Sequence, residues 1–597
     1  MDNGLGKTKR ILYAGSLPAC WLALRLAPGT RDGLPGVLRE WNGIRTDPFR
    51  LLWCRQSLPA LLAALGILWF AALLIVSQED RKRPGEEHGS ARWADPREIR
   101  KKYAGPSGTP GKILTAHVSM ALDDRLHRRN LNTIIVGGSG SGKTRSYVMG
   151  NILEAHAISL FILDPKSESL RLTGNLLRKR GYRIRVLDLI TPDKSHCYNP
   201  LWYIRSDDDV QKLVTNLFVS TEPRDKKGGD PFWDISARML LCALIYYLHY
   251  EEPREQQNFS RVLELLQEGA MKDENAKEPT PLDERFSSLR IRQPDHIAVK
   301  YYDAYHSGAA RTLMSIQISL AVRLEKFHVQ SLAALTRTDE LELDRMGEEK
   351  TALFAVIPDN DTSYNFLVSI LYTQLFQQLF ELADRKYGGR LPVPVHILQD
   401  EFANVCLPSD YDKILSVMRS RGIFVSIVLQ NMAQLKALYE KEWESIAGNC
   451  DTFLFMGGNE LQTHEYVSKL LGKQTVEVKS ESTGKNGTSV NRSLIQRALL
   501  LPGEVRALPE RDALLFIRGE APVRDRKYDL KKHPAVRETP EGGADPYDHG
   551  ETPSCEGLIR FTGERTDAPR VPYYETTLRL YTSEELEKEF GLKNRKA

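Results

Sequence analysis

Cysteine is scarce in this chain: 597 residues carry seven, at positions 20, 54, 197, 242, 406, 450 and 555, and no two form a C-x-x-C pair. That scatter excludes a disulfide scaffold and the usual zinc spacings, and it reads as a reducing compartment. His196-Cys197 is the one tight His/Cys pair, and a single pair is not a ligand set. An excess of one charge is missing too. The 82 basic and 78 acidic residues leave +4, too little for an overall field to draw in nucleic acid, so any DNA-binding surface has to be local. No internal repeat is visible. What remains is an ordinary globular composition, 41% apolar and 27% charged, in a chain long enough for several domains and a large core.

Against that plain background one segment stands out. Gly137, Gly138, Ser139, Gly140, Ser141, Gly142, Lys143 and Thr144 have the spacing G-x-x-x-x-G-K-[ST], a phosphate-binding P-loop. Residues 131–136 (LNTIIV) before it read as a buried strand, and the chain from Arg145 reads as helix. Strand, glycine loop and helix together aim backbone N–H groups and a helix N-terminus at a polyphosphate. Lys143 would reach the β- and γ-phosphates of ATP, and the Thr144 hydroxyl would hold Mg²⁺. A chance glycine-rich turn would leave the flanking strand and helix unexplained.

A P-loop enzyme needs an acid at the end of a neighbouring strand for the Mg²⁺ shell and a second carboxylate to polarise the attacking water. Residues 395–399 (VHILQ) form an apolar run that ends in Asp400 and Glu401. Asp400 is expected on the metal and Glu401 on the water. Gln430, with Asn431, ends the next strand, where an amide either senses the γ-phosphate or simply caps a loop. Arg419 and Arg421 precede that strand; a guanidinium there points at a neighbouring subunit's γ-phosphate or lies on a solvated helix face.

The remaining texture sets the organisation. Residues 58–76 (LPALLAALGILWFAALLIV) carry no charge and nearly match the roughly 30 Å hydrocarbon core. Arg81-Lys82-Arg83 comes directly after, which places the downstream side in the cytoplasm. A weaker stretch, 11–27, holds Pro18 and Arg25 and suggests a two-helix hairpin, although Arg31, Arg39, Arg45 and Arg50 in the intervening loop oppose that topology; a single span at 58–76, with the first stretch lying at the interface, is the alternative. Strands are expected at 158–163, 183–187, 351–357, 424–429, 452–456 and 513–517, alternating with helices such as 364–383, which argues for a mainly parallel sheet covered on both faces. Helical periods at 210–218, 235–250, 259–266 and 309–324 mark an all-α insertion at 206–327. The expected division is therefore 1–80 membrane anchor, 81–130 linker and lead-in, 131–205 first nucleotide-binding part, 206–327 all-α domain, 328–530 second nucleotide-binding part, and 531–597 flexible linker with a short terminal helix opened by a capping box at 582–585. Residues 479–492 read as a polar loop.

Several of these pieces together resemble the type IV coupling proteins, the membrane-bound ATPases of conjugation and type IV secretion. They are His88-Gly-Ser-Ala-Arg-Trp93, the P-loop, Asp164-Pro-Lys-Ser-Glu168 (the family has Asp-Pro-Lys-Gly-Glu, so Ser167 stands in a glycine place), Asp400-Glu401-Phe-Ala, and Ser420-Arg-Gly-Ile running into the strand that ends at Gln430. The resemblance covers about residues 60–530. It implies an α/β RecA-like P-loop NTPase domain, an inserted all-α domain and an N-terminal transmembrane anchor in a bacterial inner membrane, with most of the chain facing the cytoplasm. It also implies a homo-hexameric ring, with Arg419 acting in trans, Gln430 linking γ-phosphate to DNA contacts, and Arg128 and Arg129 near a neighbouring site. Its expected partners are a relaxase–DNA complex, single-stranded or double-stranded DNA, and components of the secretion channel. Two alternatives stay open. A septal-type double-stranded DNA translocase would lack the large helical insertion, and an ATP-binding receptor without robust hydrolysis would not need Glu401. A transporter ATPase would carry a Leu-Ser-Gly-Gly signature, which is missing.

Overall fold

The computed structural model describes residues 2–77, 86–106, 108–222, 231–270, 278–405, 408, 410–484 and 487–550. The chain forms two compact units, one of Met1–Ser90 with Lys473–Arg497 and one of Ala91–Gly472 with Ala498–Ala597.

The larger unit is built on a sheet whose strands are β1 (Thr133–Val136), β2 (Ser159–Pro165), β3 (Arg183–Asp188), β4 (Thr351–Ile357), β5 (Val395–Gln399), β6 (Ile423–Leu429), β7 (Thr452–Phe455), β8 (Asp512–Ile517) and β9 (Val523–Arg526). Their order across the sheet is β9-β8-β7-β1-β6-β5-β2-β4-β3. Every pairing from β7 to β3 is parallel, and the hairpin β8–β9 closes one edge antiparallel. Parallel strands buried on both faces need continuous apolar runs, and β4 and β6 are buried along their whole length. Alternation assigns the faces: Ile134 and Val136 join Phe161 and Leu163 on one side, while Ile135 joins Leu160 and Ile162 on the other.

Between β3 and β4 the described residues form only helices and turns, including Asp207–Ser220, Pro231–Glu251, Phe259–Glu268, Pro281–Arg292, Ile297–His306 and Ala310–Leu324. Two of these, Pro281–Arg292 and Ile297–His306, had little apolar period to reveal them. Pro281 opens the first behind Thr280, whose hydroxyl accepts from Asp283 N. The pair is held by Phe286 stacked on Tyr302 at 3.9 Å, and the Tyr302 hydroxyl donates to Asp283 at 2.7 Å.

In the smaller unit, helices Asp2–Leu26 and Ser57–Ser77 lie side by side, with Gly15 facing Leu68. Among the described residues no helix is long and apolar enough to cross a membrane. The expected polar loop at 479–492 is instead part of a two-stranded sheet, Lys473–Gly484 with Gly487–Ala498.

A further correction concerns residues 531–550. Their Pro, Gly and charge content suggested a linker, yet they are ordered against the sheet's second face. Leu530, Ala535 and Tyr547 are buried in one cluster with Val148, Met149 and Ile152. Tyr547 donates its backbone N–H to Arg171 O at 2.9 Å, and its ring lies over Gly174, in space that a Cβ would occupy. Residues 551–597, including the expected terminal helix, lie outside the described residues. The contact at Gly174 yields a prediction. Gly174→Ala should displace Tyr547 and lower stability by about 1–3 kcal/mol, read as a drop in melting temperature with earlier proteolysis within 531–550; an unchanged melt and digest would mean the segment is not docked there.

Candidate functional site

The end of β1 is fixed before the loop begins. Gly137 N donates to Leu429 O at the end of β6 (3.0 Å), and Gly138 N donates to Gly457 O just beyond β7 (2.8 Å). Gly140 and Gly142 then take φ of 74° and 84°, left-handed values that cost other residues about 1–2 kcal/mol each. A wide helical turn, Lys143–Val148, comes next and continues as the helix Met149–Glu154. Its first N–H groups face the loop, which makes an anion site. Lys143 Nζ donates to the carbonyls of Gly137 (2.6 Å) and Gly138 (3.0 Å). Burial lowers the Lys143 pKa, and the charges of Asp400 and Glu401 oppose that shift.

Sheet order places β6 between β1 and β5, so the carboxylates after β5 reach the loop across the end of one strand. The Thr144 hydroxyl donates to Asp400 Oδ2 at 2.5 Å. Asp400 is 3% exposed, and its Oδ1 is buried with no hydrogen-bond partner among the described residues. Burial pushes its pKa up to about 6, against the pull of the Thr144 hydrogen bond. One oxygen on a hydroxyl and one orphaned beside it fit a hard divalent cation, whose other ligands in a P-loop site are phosphate oxygens and water. Among the described residues no cluster of three His, Cys, Asp or Glu side chains suits a metal held by protein alone. Glu401 adopts φ 57°, backbone strain of the kind that collects at working sites. Asn404 Nδ2 donates to Glu401 Oε2 at 2.8 Å, which aims the carboxylate.

Asp164, at the end of β2, is a site residue whose role the sequence did not reveal. It accepts from Ser169 N (3.1 Å) and Leu170 N (2.7 Å), capping the helix Glu168–Lys179. Burial pushes its carboxyl up to about 7, and the nearby Asp400 charge adds to the shift. Lys166 and Ser167 after it both have positive φ, 71° and 60°. The left-handed Ser167 explains why glycine suits this place in the family pattern.

The remaining sequence candidates separate by sheet edge. Gln430 comes directly after β6 at the loop's edge; its backbone N–H donates to Gln434 Oε1 (2.8 Å), and Asn431 caps the helix Met432–Leu438. Arg419 precedes β6, so it sits at the opposite edge, about 20 Å from its own P-loop by the rise of the strand. There Arg419 Nε donates to Asp124 Oδ2 (2.9 Å), and an Arg390 terminal amine reaches Asp124 Oδ1 (3.2 Å). Those two guanidinium groups hold the Asp124 carboxyl below its ordinary value although burial works the other way. Arg128 (φ 58°) and Arg129 lie on this far edge too, and Arg129 is drawn to Tyr103 and Glu520. Thus Lys143, Thr144, Asp400, Glu401 and Gln430 come together, and Arg419, Arg128 and Arg129 do not join them within one chain.

Comparison with known proteins gives the family and the fold. A sequence model of the family described as "Type IV secretory system Conjugative DNA transfer" matches residues 92–535. Protein VirD4 of Rhizobium radiobacter is 23% identical over 485 residues, 78% of this chain and 67% of that protein. Conjugal transfer protein TraG of Escherichia coli is 24% identical over 525 residues, 79% of this chain and 78% of that one. Among solved structures, the unbound bacterial conjugative coupling protein TrwBdeltaN70 superposes with a TM-score of 0.54 at 18% identity, covering 76% of this chain and 95% of that one. The plasmid coupling protein TrwB in complex with ADP and Mg²⁺ gives 0.53 at 17%, covering 76% and 97%. The shared fold is RecA-like α/β.

The Asp164 loop can be tested in two ways. Ser167→Gly should relieve the left-handed strain and stabilise the protein by about 1 kcal/mol, read as a raised melting temperature; a lowered one would mean the serine contributes more than its strain costs. Asp164 has a raised pKa, so the folded protein binds its proton more tightly than the unfolded chain. Its stabilising share is therefore full below about pH 4 and is lost as pH rises through about 7. Melting of wild type minus Asp164→Asn should accordingly fall between pH 5 and pH 8, and a flat difference would contradict the assignment.

Proposed function

Because the chain belongs to the type IV coupling proteins of conjugative DNA transfer, we propose that it is an ATPase that couples a relaxase-bound DNA strand, or a protein substrate, to a secretion channel. One observation carries this reading: the Thr144 hydroxyl on Asp400, with the orphaned Asp400 oxygen beside it and Glu401 next in the chain. In this reading the loop amides and Lys143 bind the β- and γ-phosphates of ATP, and Thr144 and Asp400 hold Mg²⁺. When bound, Mg²⁺ supplies neutralisation of the charge on the β- and γ-oxygens. Glu401, aimed by Asn404, accepts the proton of the attacking water. Gln430 ends the strand between P-loop and carboxylates, where it links the phosphate end of the site to substrate contacts.

Arg419 enters through a second subunit. Its place on the far sheet edge keeps it from the P-loop of its own chain, and a head-to-tail ring would bring that edge to a neighbour's P-loop. Asp124 engages Arg419 through Nε at 2.9 Å. A homo-hexamer is the closed ring this reading adopts, with DNA contacts local to its channel. The helices of residues 2–77 are proposed to anchor it in the bacterial inner membrane, supported by the uncharged run at 58–76 and by Arg81-Lys82-Arg83. The helical insertion after β3 speaks against a septal-type translocase.

The test is DNA-stimulated ATP turnover by the full-length protein. Glu401→Gln should keep ATP binding and lose about 10²- to 10⁴-fold in turnover, whereas Lys143→Ala should lose binding itself. No turnover by an assembled wild type with DNA present would favour an ATP-binding receptor instead.

A further inference from the structure

A second lysine reaches the phosphate-binding loop from the far end of the chain. β8 runs antiparallel to β7 and β9 antiparallel to β8, so β9 runs parallel to β1 and ends at the same sheet edge. The residue after β9 is Lys527. Its backbone N–H donates to Arg511 O at 2.8 Å, which fixes its stem. Its ammonium donates to the carbonyl of Ser141, inside the P-loop, at 2.8 Å. Burial lowers the Lys527 pKa, the charge of Lys143 pushes the same way, and Glu510 and Asp512 oppose it. Among the described residues Lys527 makes no ion pair.

The strap of residues 528–550 holds Lys527 there. Tyr528 lies against Gly150 on the P-loop helix, where an added Cβ would stand 3.4 Å from its ring. His533 pairs with Glu154 at 3.0 Å, and Glu541 pairs at 2.7 Å with Arg145, the neighbour of Thr144. Leu530, Ala535 and Tyr547 bury the strap on the helix and sheet behind the loop. Two ammonium groups repel, and bringing both to one loop is unfavourable unless the loop receives an anion. A polyphosphate removes that repulsion and turns both charges into attraction.

We propose that Lys527 is a second cation of the nucleotide site, carried to the P-loop by the strap and acting directly on the phosphate chain. The inference rests on the reading of the loop as an ATP site and extends that site beyond its sequence motif. It makes the last strand and strap part of nucleotide recognition.

The experiment is equilibrium binding to the full-length protein in detergent, using a fluorescent ATP analogue and competition by ATP, ADP and inorganic tripolyphosphate at low and high salt. Lys527→Gln should weaken ATP and tripolyphosphate by about tenfold, weaken ADP less, and flatten the salt dependence, with the melting temperature of the free protein kept. Lys527→Arg should restore most of the affinity. Lys527→Met serves as the second neutral variant should Lys527→Gln fold poorly. Wild-type affinities in both neutral variants would overturn the proposal while leaving the ATP site intact. So would equal losses for ATP, ADP and the Lys527→Arg variant, which would mark a purely structural lysine. Failure of the wild type to bind ATP, with Lys143→Ala indistinguishable from it, would instead overturn the ATP site itself.

Discussion

A single contact, the Thr144 hydroxyl on the Asp400 carboxylate, sets the demands on the whole fold. Thr144 lies beyond the loop that leaves β1 and Asp400 one residue past β5, and β6 lies between those strands. A hydroxyl and a carboxylate can meet across the width of a strand only if the strand ends are set at matched heights. The parallel registers set them: Val136 pairs with Leu429, the last residue of β6, and Gln399 pairs with Ile427, two residues earlier, so β5 ends short of β1 and Asp400 follows there. Shifting either register by one residue would reverse the facing of every side chain in the strand, so the core and the site are specified by the same pairing.

That contact also explains the electrostatics of the loop's edge. Asp164 and Asp400 are both nearly buried, and both are pushed toward the neutral form by burial. The two are satisfied differently. Asp164 accepts two backbone N–H groups and serves the helix it caps, whereas Asp400 keeps one oxygen without a donor among the described residues. The first carboxylate is consumed by structure and the second is held ready for a ligand. On the opposite edge the signs are reversed: Asp124 is buried between Arg390 and Arg419 and kept ionised by them. The two ends of the parallel strands thus carry opposite electrostatics, an anion-seeking loop at one and a carboxylate held between two guanidinium groups at the other.

Much of this was legible in the sequence, and the parts that were not have physical reasons. The P-loop, the Asp400-Glu401 strand end and the strands at 351–357 and 424–429 were readable because each combines a local pattern with a chemical requirement. The helices Asp207–Ser220 and Asn365–Glu381 were evident from apolar spacing. The strap at 531–550 was hidden because its burial depends on three separated side chains and on a gap at Gly174 made by another element. The hairpin of Lys473–Gly484 and Gly487–Ala498 was hidden because exposed Val478, Val490 and Leu494 give it no one-sided apolar pattern. Lys527 has no local signature at all; only the two antiparallel steps of β8 and β9 bring it to the P-loop.

The rigidity behind the loop comes from a polar network that no local pattern could show. Lys112 is fully buried and donates to Thr133 Oγ1 at 2.9 Å and to Leu131 O, at the start of β1. Tyr147 on the P-loop helix shares Ser426 of β6 with His396 of β5, at 2.9 and 2.8 Å. Asn151 on the same helix exchanges hydrogen bonds with the Ile113 backbone, both at 3.0 Å. Burial drives Lys112 and His396 well below their ordinary pKa values, and the charge of Lys112 pushes His396 the same way. Satisfied networks of this kind fix one arrangement, because any other leaves a buried polar group without a partner. The network joins the start of β1, the middle of β6, the body of β5 and the P-loop helix. Those are the elements whose relative positions decide whether Thr144 meets Asp400, so the buried polar groups behind the sheet hold the geometry that the open edge uses.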